Sequence, residues 1–121
     1  MFSIDDYKLL TCILTSFRSR HVTPNVLTEV SNLASQLDGN KQQVVFEVLR
    51  SAVAVLKEHY VPSQHVTQQK EFFKFGLTDA ALVLLTRKRL LLLTMDFPLA
   101  NYCSSIGADV INFTNLRPLT W

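Results

Sequence analysis

The sequence predicts one α/β domain over residues 1–121, three layers deep, with helices on both faces of a mainly parallel sheet. Two observations carry this expectation. Helical and extended patterns alternate along the chain, as they do when parallel strands are joined by helical crossovers. Leu90–Leu93 is apolar at every position, as a central strand covered on two sides has to be. The composition agrees: 48% apolar and 18% charged residues describe a packed chain rather than a disordered one.

The elements follow in order. Ser3 with Asp6 three residues later marks a helix start, and Tyr7, Leu10, Leu14 and Phe17 are spaced for one buried face. His21–Thr23 is too short for a helix and reads as a strand. Thr23 caps the next helix and Pro24 suits its first turn, where no N–H is needed. Val26, Leu27, Val30, Leu33, Ala34 and Leu37 keep helical spacing until Asp38-Gly39-Asn40. Lys41–Tyr60 reads as one long helix with a stripe of Val44, Val45, Val48, Leu49, Ala52, Val55 and Leu56. Val61-Pro62 breaks it, and Ser63 caps a helix that reaches Phe73 and stops at Gly76. Thr78 then caps a helix that turns Ala80, Ala81, Leu84 and Leu85 inward. After the strand at Leu90 come a helix containing Pro98, a stop at Gly107, and a last strand, Asp109–Phe113. The tail Thr114–Trp121 reads as a docked loop.

Several function classes drop out. The leucine-rich stretch Ala80–Thr94 is interrupted by Arg87, Lys88 and Arg89, well short of the roughly 18 apolar residues that a membrane span needs. The N-terminus is acidic where a secretory signal is basic, so a cytoplasmic protein is expected. Cys12 and Cys103 form no Cys-x-x-Cys pair and read as reduced thiols. His21, His59 and His65 lack metal-ligand spacing and read as hydrogen-bonded structural residues. Ser31 and Cys103 have no evident base, so nucleophilic catalysis lacks support. Net charge is +2. If three acids are assigned to a metal, seven Asp and Glu face twelve Lys and Arg, a surplus that suits a polyanionic substrate.

Three acids stand where an α/β architecture collects ligands, outside the carboxyl ends of the strands. Glu29 lies in the second turn of the helix after His21–Thr23, Asp79 is read as the first residue of its helix, and Asp96 follows Leu90–Thr94. They are expected to converge. Such carboxylates repel one another unless a cation holds them, and an all-oxygen set favours Mg²⁺ or Mn²⁺ over zinc. These ions suit phosphodiester hydrolysis, because they activate water and neutralise the leaving oxygen. Each acid also has a plain structural use, at a helix start or on a solvated face.

The segments around these acids resemble one family. Val22-Thr23-Pro24-Asn25-Val26-Leu27-Thr28-Glu29-Val30-Ser31-Asn32-Leu33 resembles the part of PIN-domain nucleases that carries their second acid. Phe75-Gly76-Leu77-Thr78-Asp79-Ala80-Ala81 resembles the part with the third. Leu93-Thr94-Met95-Asp96-Phe97-Pro98-Leu99-Ala100 resembles the part with the fourth, and Gly107–Phe113 the last strand. The resemblance runs in order over nearly the whole chain. It implies a PIN-like α/β/α fold and a Mg²⁺- or Mn²⁺-dependent ribonuclease acting on RNA, with Glu29, Asp79 and Asp96 as catalytic metal ligands. Thr94 would orient a carboxylate or a bound water, and Asn25 and Asn115 would add polar contacts. Many bacterial members are toxins paired with an antitoxin, and others have lost activity.

One departure bears on activity. PIN domains open with a central strand ending in Asp, whereas this sequence begins at what reads as a later helix. That strand and its acid are therefore expected to be absent, unless Phe2–Asp5 is a strand and Asp5 the ligand; Asp5 and Asp6 read better as charges at a helix start. A fragment, a degenerate member and a protein completed by another chain all fit. An uncovered strand edge invites pairing, so self-association is expected. The rival readings are a non-catalytic PIN-like interaction protein and a phosphatase-like hydrolase using the same carboxylates.

Overall fold

A computed structural model of the protein describes residues 3–116. Along the chain lie α1 (Ile4–Thr15), β1 (His21–Val22), α2 (Pro24–Ala34), α3 (Gly39–Val53), β2 (Lys57–Glu58), α4 (Ser63–Thr67), α5 (Glu71–Thr86), β3 (Leu92–Thr94), α6 (Phe97–Ser105), β4 (Val110–Asn112) and α7 (Phe113–Leu116). The expected mixture of helix and strand is present, and both strand pairs are parallel. Instead of one sheet, the described residues form two two-stranded pairs, β1–β2 and β3–β4. The sequence reads as one domain, and its packing groups the chain into two compact units, Met1–Phe17 with Ser63–Trp121, and Arg18–Pro62.

The first unit holds the principal core. Val83 of α5, Leu92 of β3, and Leu99 and Cys103 of α6 form a buried cluster, with Phe75, Leu82, Tyr102, Ala108 and Val110 packed against it. Helix α6 fills the crossover between β3 and β4, as parallel strands require. The register pairs Leu92 with Val110, Leu93 with Ile111 and Thr94 with Asn112. Leu92 is buried, but Leu91 is 38% exposed, so the run is not covered on both faces. The strand is also shorter than Leu90–Leu93 suggested and begins two residues later. Helix α7 occupies the start of the expected tail loop, and residues 117–121 lie outside the described residues.

Helix α1 begins as the sequence indicates. The Ser3 hydroxyl accepts the Asp6 N–H at 3.1 Å, and the Asp6 carboxylate accepts the Ser3 N–H at 2.8 Å, a reciprocal pair that satisfies two donors a helix start leaves open. Asp5 sits in this helix rather than in a strand; Phe2 lies outside the described residues. Of the expected apolar face Leu10 and Leu14 are half-buried, whereas Tyr7 is 63% and Phe17 41% exposed, and Asp6 is fully buried.

In the Arg18–Pro62 unit the Thr23 hydroxyl caps α2 by accepting the Val26 N–H, and Pro24 opens the helix. The predicted helix Lys41–Tyr60 ends early, at Val53. The Lys57 N–H donates to the Arg20 carbonyl and the His59 N–H to the Val22 carbonyl, each at 2.8 Å. Strand pairing thus takes donors that another helical turn would have used, in a stretch where β-branched Val53 and Val55 favour extension.

Gly76 adopts φ 81 and ψ −177, a region essentially reserved for glycine. It interrupts α5, separating helical residues 71–75 from 77–86, so the stop expected at Gly76 is present. A new helical stretch follows that break, as expected, but the helix expected from Ser63 to Phe73 is divided, since α4 ends at Thr67 and α5 begins at Glu71.

Candidate functional site

Asp96 sits two residues past the carboxyl end of β3, where the strand-end argument puts it. Its Oδ1 accepts the Leu99 N–H at 2.9 Å and so caps α6, and the Asp96 N–H donates to Thr94 Oγ1 at 3.0 Å. Thr94 thus holds the backbone of Asp96 instead of its carboxylate. At the matching end of β4, Asn112 pairs with Thr94 in register and accepts the Thr114 N–H at 3.0 Å. Asn112 is a polar group at the strand ends that the sequence reading passed over in favour of Asn115, which is exposed in α7.

Asp79 is half-buried in the first turn of α5 after the Gly76 break. Burial first, then the charges of Asp79 and Glu71, push the Cys103 thiol up. Cys103 is thus a buried thiol of the core cluster. Glu29 is exposed in the second turn of α2, and Asn25 is half-buried in its first; both belong to the Arg18–Pro62 unit. Among the described residues no group of three or more His, Cys, Asp or Glu side chains is placed to hold a metal ion, so the expected three-carboxylate donor set is not assembled.

Two polar clusters had no signal in the spacing of the chain. In the first, the Glu71 side chain is 1% exposed; it accepts the Tyr102 hydroxyl at 2.5 Å and an Arg87 N–H at 3.1 Å. Burial pushes the Glu71 carboxyl up. Its hydrogen bonds from Tyr102 and its own backbone N–H, with the Arg87 and Lys70 cations, outweigh burial and leave it below the ordinary glutamate value. The Glu71 hydrogen bond, burial and the Glu71 charge hold the Tyr102 phenol above its ordinary value. These residues line a recess of about 330 Å³ together with Lys70, Thr86, Ile106, Gly107 and Ala108. Lys74 lies over the Phe75 and Tyr102 rings, 5.2 and 5.5 Å from their centroids. The cluster ties the start of α5 to its end and to α6.

In the second cluster, His21 Nδ1 lies 2.6 Å from His59 Nε2, and His21 Nε2 lies 2.8 Å from Ser19 Oγ. The two histidines are 38 residues apart and meet because β1 pairs with β2. Burial, then His59 and Lys57, lower the His21 pKa.

Among the described residues no helix is long and apolar enough to cross a membrane. No family model, curated protein or solved structure matches the chain.

Proposed function

We propose that this chain is a PIN-like domain whose chemistry is metal-dependent cleavage of RNA in the cytoplasm, with Asp79 and Asp96 as the carboxylates of the unit that holds β3 and β4. The observation that carries this reading is the β3–α6–β4 crossover. Its parallel strands bring Asp96 and Asn112 to carboxyl ends, where open α/β folds bind ligands. A three-layer PIN-like sheet, Glu29 as a third carboxylate, Mg²⁺ or Mn²⁺ as the ion, and an antitoxin or a second copy as partner enter on the sequence resemblance alone.

The described residues do not assemble a complete donor set for the ion, and one Asp96 oxygen is already engaged at the α6 cap. Titration calorimetry with Mn²⁺ on the wild type and on Asp79→Asn, Asp96→Asn and Glu29→Gln tests the reading, alongside cleavage of a fluorescent single-stranded RNA with Mn²⁺ or with EDTA. Binding that the Asp variants weaken strongly, and cleavage that EDTA abolishes, are expected. Equal Mn²⁺ binding in wild type and both Asp variants would overturn the assignment.

The capping role of Asp96 favours a second reading, a non-catalytic PIN-like interaction protein. A folded chain with neither Mn²⁺ heat nor RNA cleavage selects it over the first.

A further inference from the structure

Side chains alternate between the two faces of an extended chain. His21 is the register partner of Lys57, and His59 stands two residues beyond Lys57. His21, Lys57 and His59 therefore share one face of the β1–β2 pair, while Val22 and Glu58 take the other. On that face a hydrogen bond joins His21 Nδ1 to His59 Nε2 at 2.6 Å, and the far nitrogen of His21 lies 2.8 Å from Ser19 Oγ. Beside it run the backbone bonds from the Lys57 N–H to the Arg20 carbonyl and from the His59 N–H to the Val22 carbonyl. The imidazole bond thus ties together the same two segments as the strand pairing. Each strand is only two residues long, and so short a pairing is marginal without side-chain support.

We propose that the His21–His59 bond is a pH-sensitive latch, which holds β1 to the segment at β2 near neutral pH and opens in acid once both imidazoles are protonated. A neutral ring carries one N–H and one lone pair. In the neutral pair one ring donates across the gap and the other accepts, with Ser19 as acceptor or donor on the far nitrogen of His21. A first added proton takes a nitrogen away from the gap, and the bond survives with a charge on one partner, which strengthens it. A second proton has to take the accepting lone pair itself. Two N–H groups then face each other on two cations, and the bond is lost. Lys57 is a further cation on the same face. Glu58 lies on the opposite face, where its carboxylate accepts the Tyr60 hydroxyl at 2.9 Å, and Arg18 and Arg20, which precede His21, bring no negative charge. Burial and the charges of His59 and Lys57 lower the His21 pKa, as expected of a ring that resists this proton. The opened segment therefore takes up the proton more readily than the closed one, and the latch weakens as pH falls below the ordinary histidine value of 6.5 toward the lowered one. Above that range it is at full strength. The latch is independent of the carboxylates in the proposed function.

The test is amide hydrogen exchange of the full chain by NMR from about pH 8 to about pH 5, with the histidine ring signals followed in the same samples. Exchange is expressed relative to the intrinsic rate at each pH. The Lys57 and His59 amides are expected to lose protection in step with the titration of the His21 ring. The Leu92 amide, which donates to the Asp109 carbonyl, keeps its protection over the same range. In His59→Gln the pair no longer takes two charges, so Lys57 amide protection depends far less on pH. Lys57→Gln removes one cause of the lowered His21 pKa and moves the ring titration to higher pH, whereas His65→Gln leaves the loss of protection unchanged. The wild-type series needs no variant, so a misfolded variant does not blunt the test. Constant protection of Lys57 and His59, an equal loss at Leu92, or the same loss in His59→Gln overturns the proposal.

Discussion

Elements α3 and α5 span 15 and 16 residues, α5 with a break at Gly76, and each carries an apolar stripe. Helix α5 buries Ala80, Ala81, Val83 and Leu85 along with Glu71 and Thr86. Helix α3 buries no residue; Val44 is 56% and Val48 63% exposed, while Val45, Phe46, Leu49 and Ala52 are half-buried. The covered stripe of α3 is therefore turned by about one position from the one the valines suggest, with Phe46 in it and Val44 and Val48 outside. A periodic stripe states which faces could be buried. Neighbouring elements decide which face is, and α5 has α4 and α6 against it with small alanines that allow close approach.

The sharpest way to break this contrast is to compare truncations on the two sides. Leu99, 1% exposed within the Val83–Leu92–Cys103 cluster, should lose about 2–5 kcal/mol as Leu99→Ala, since the lost burial adds to the cavity left behind. Urea unfolding monitored by circular dichroism measures it. A loss no larger than that from an exposed α3 valine would show that the two units are equally well packed.

Gly76→Ala comes next. A side chain at φ 81 and ψ −177 strains the backbone by about 1–3 kcal/mol although the space around it is open. An unchanged melting temperature would mean that the kink in α5 is not required.

Glu71 sharpens the contrast through pH. Its folded pKa is lowered, so the unfolded chain takes up the proton first as pH falls. Its contribution is present above the unfolded carboxyl range and is lost as pH falls through that range toward the folded value. Glu71→Gln should cost about 1–3 kcal/mol at neutral pH by weakening charged hydrogen bonds to a buried group, and it should flatten the acid limb of the stability profile. Parallel acid limbs in wild type and variant would remove Glu71 from the account.

Smaller effects are expected in the Arg18–Pro62 unit. Thr23→Ala removes the hydroxyl that caps α2 and should cost about 1 kcal/mol. Val48→Ala should stay within about 0.5 kcal/mol, because the side chain is mostly in water and alanine is the better helix former. A loss above 2 kcal/mol at Val48 would reveal a partner on that face.

Much of the local structure was legible. Ser3 and Thr23 each precede a helix and cap it as read, Asp96, read as a metal ligand, caps α6, and Pro24 and Pro98 fall in first turns. Gly76 was legible as a break, and its φ 81 and ψ −177 lie outside helical geometry. The candidate site was less legible. Asp96 lies at the strand end the sequence indicated, but the same capping chemistry that makes it recognisable also occupies one of its oxygens. Asp79 falls in the first turn after the Gly76 break, near the helix start at which it was read.

The sequence by itself determined where α1, α2 and α6 begin, that helices alternate with extended segments, and that no described helix spans a membrane. These depend on hydrogen bonds and side-chain periods within three or four residues, where little chain entropy opposes contact. Only the tertiary structure decided that Lys57–Glu58 leaves the helix to pair with His21–Val22, that Glu71 is buried under Tyr102 and Arg87, and that His21 meets His59. Each of these joins residues 16 to 38 apart in the chain. Closing such loops costs entropy that no local pattern records, and the contact forms only when the packing of other elements brings its two ends together.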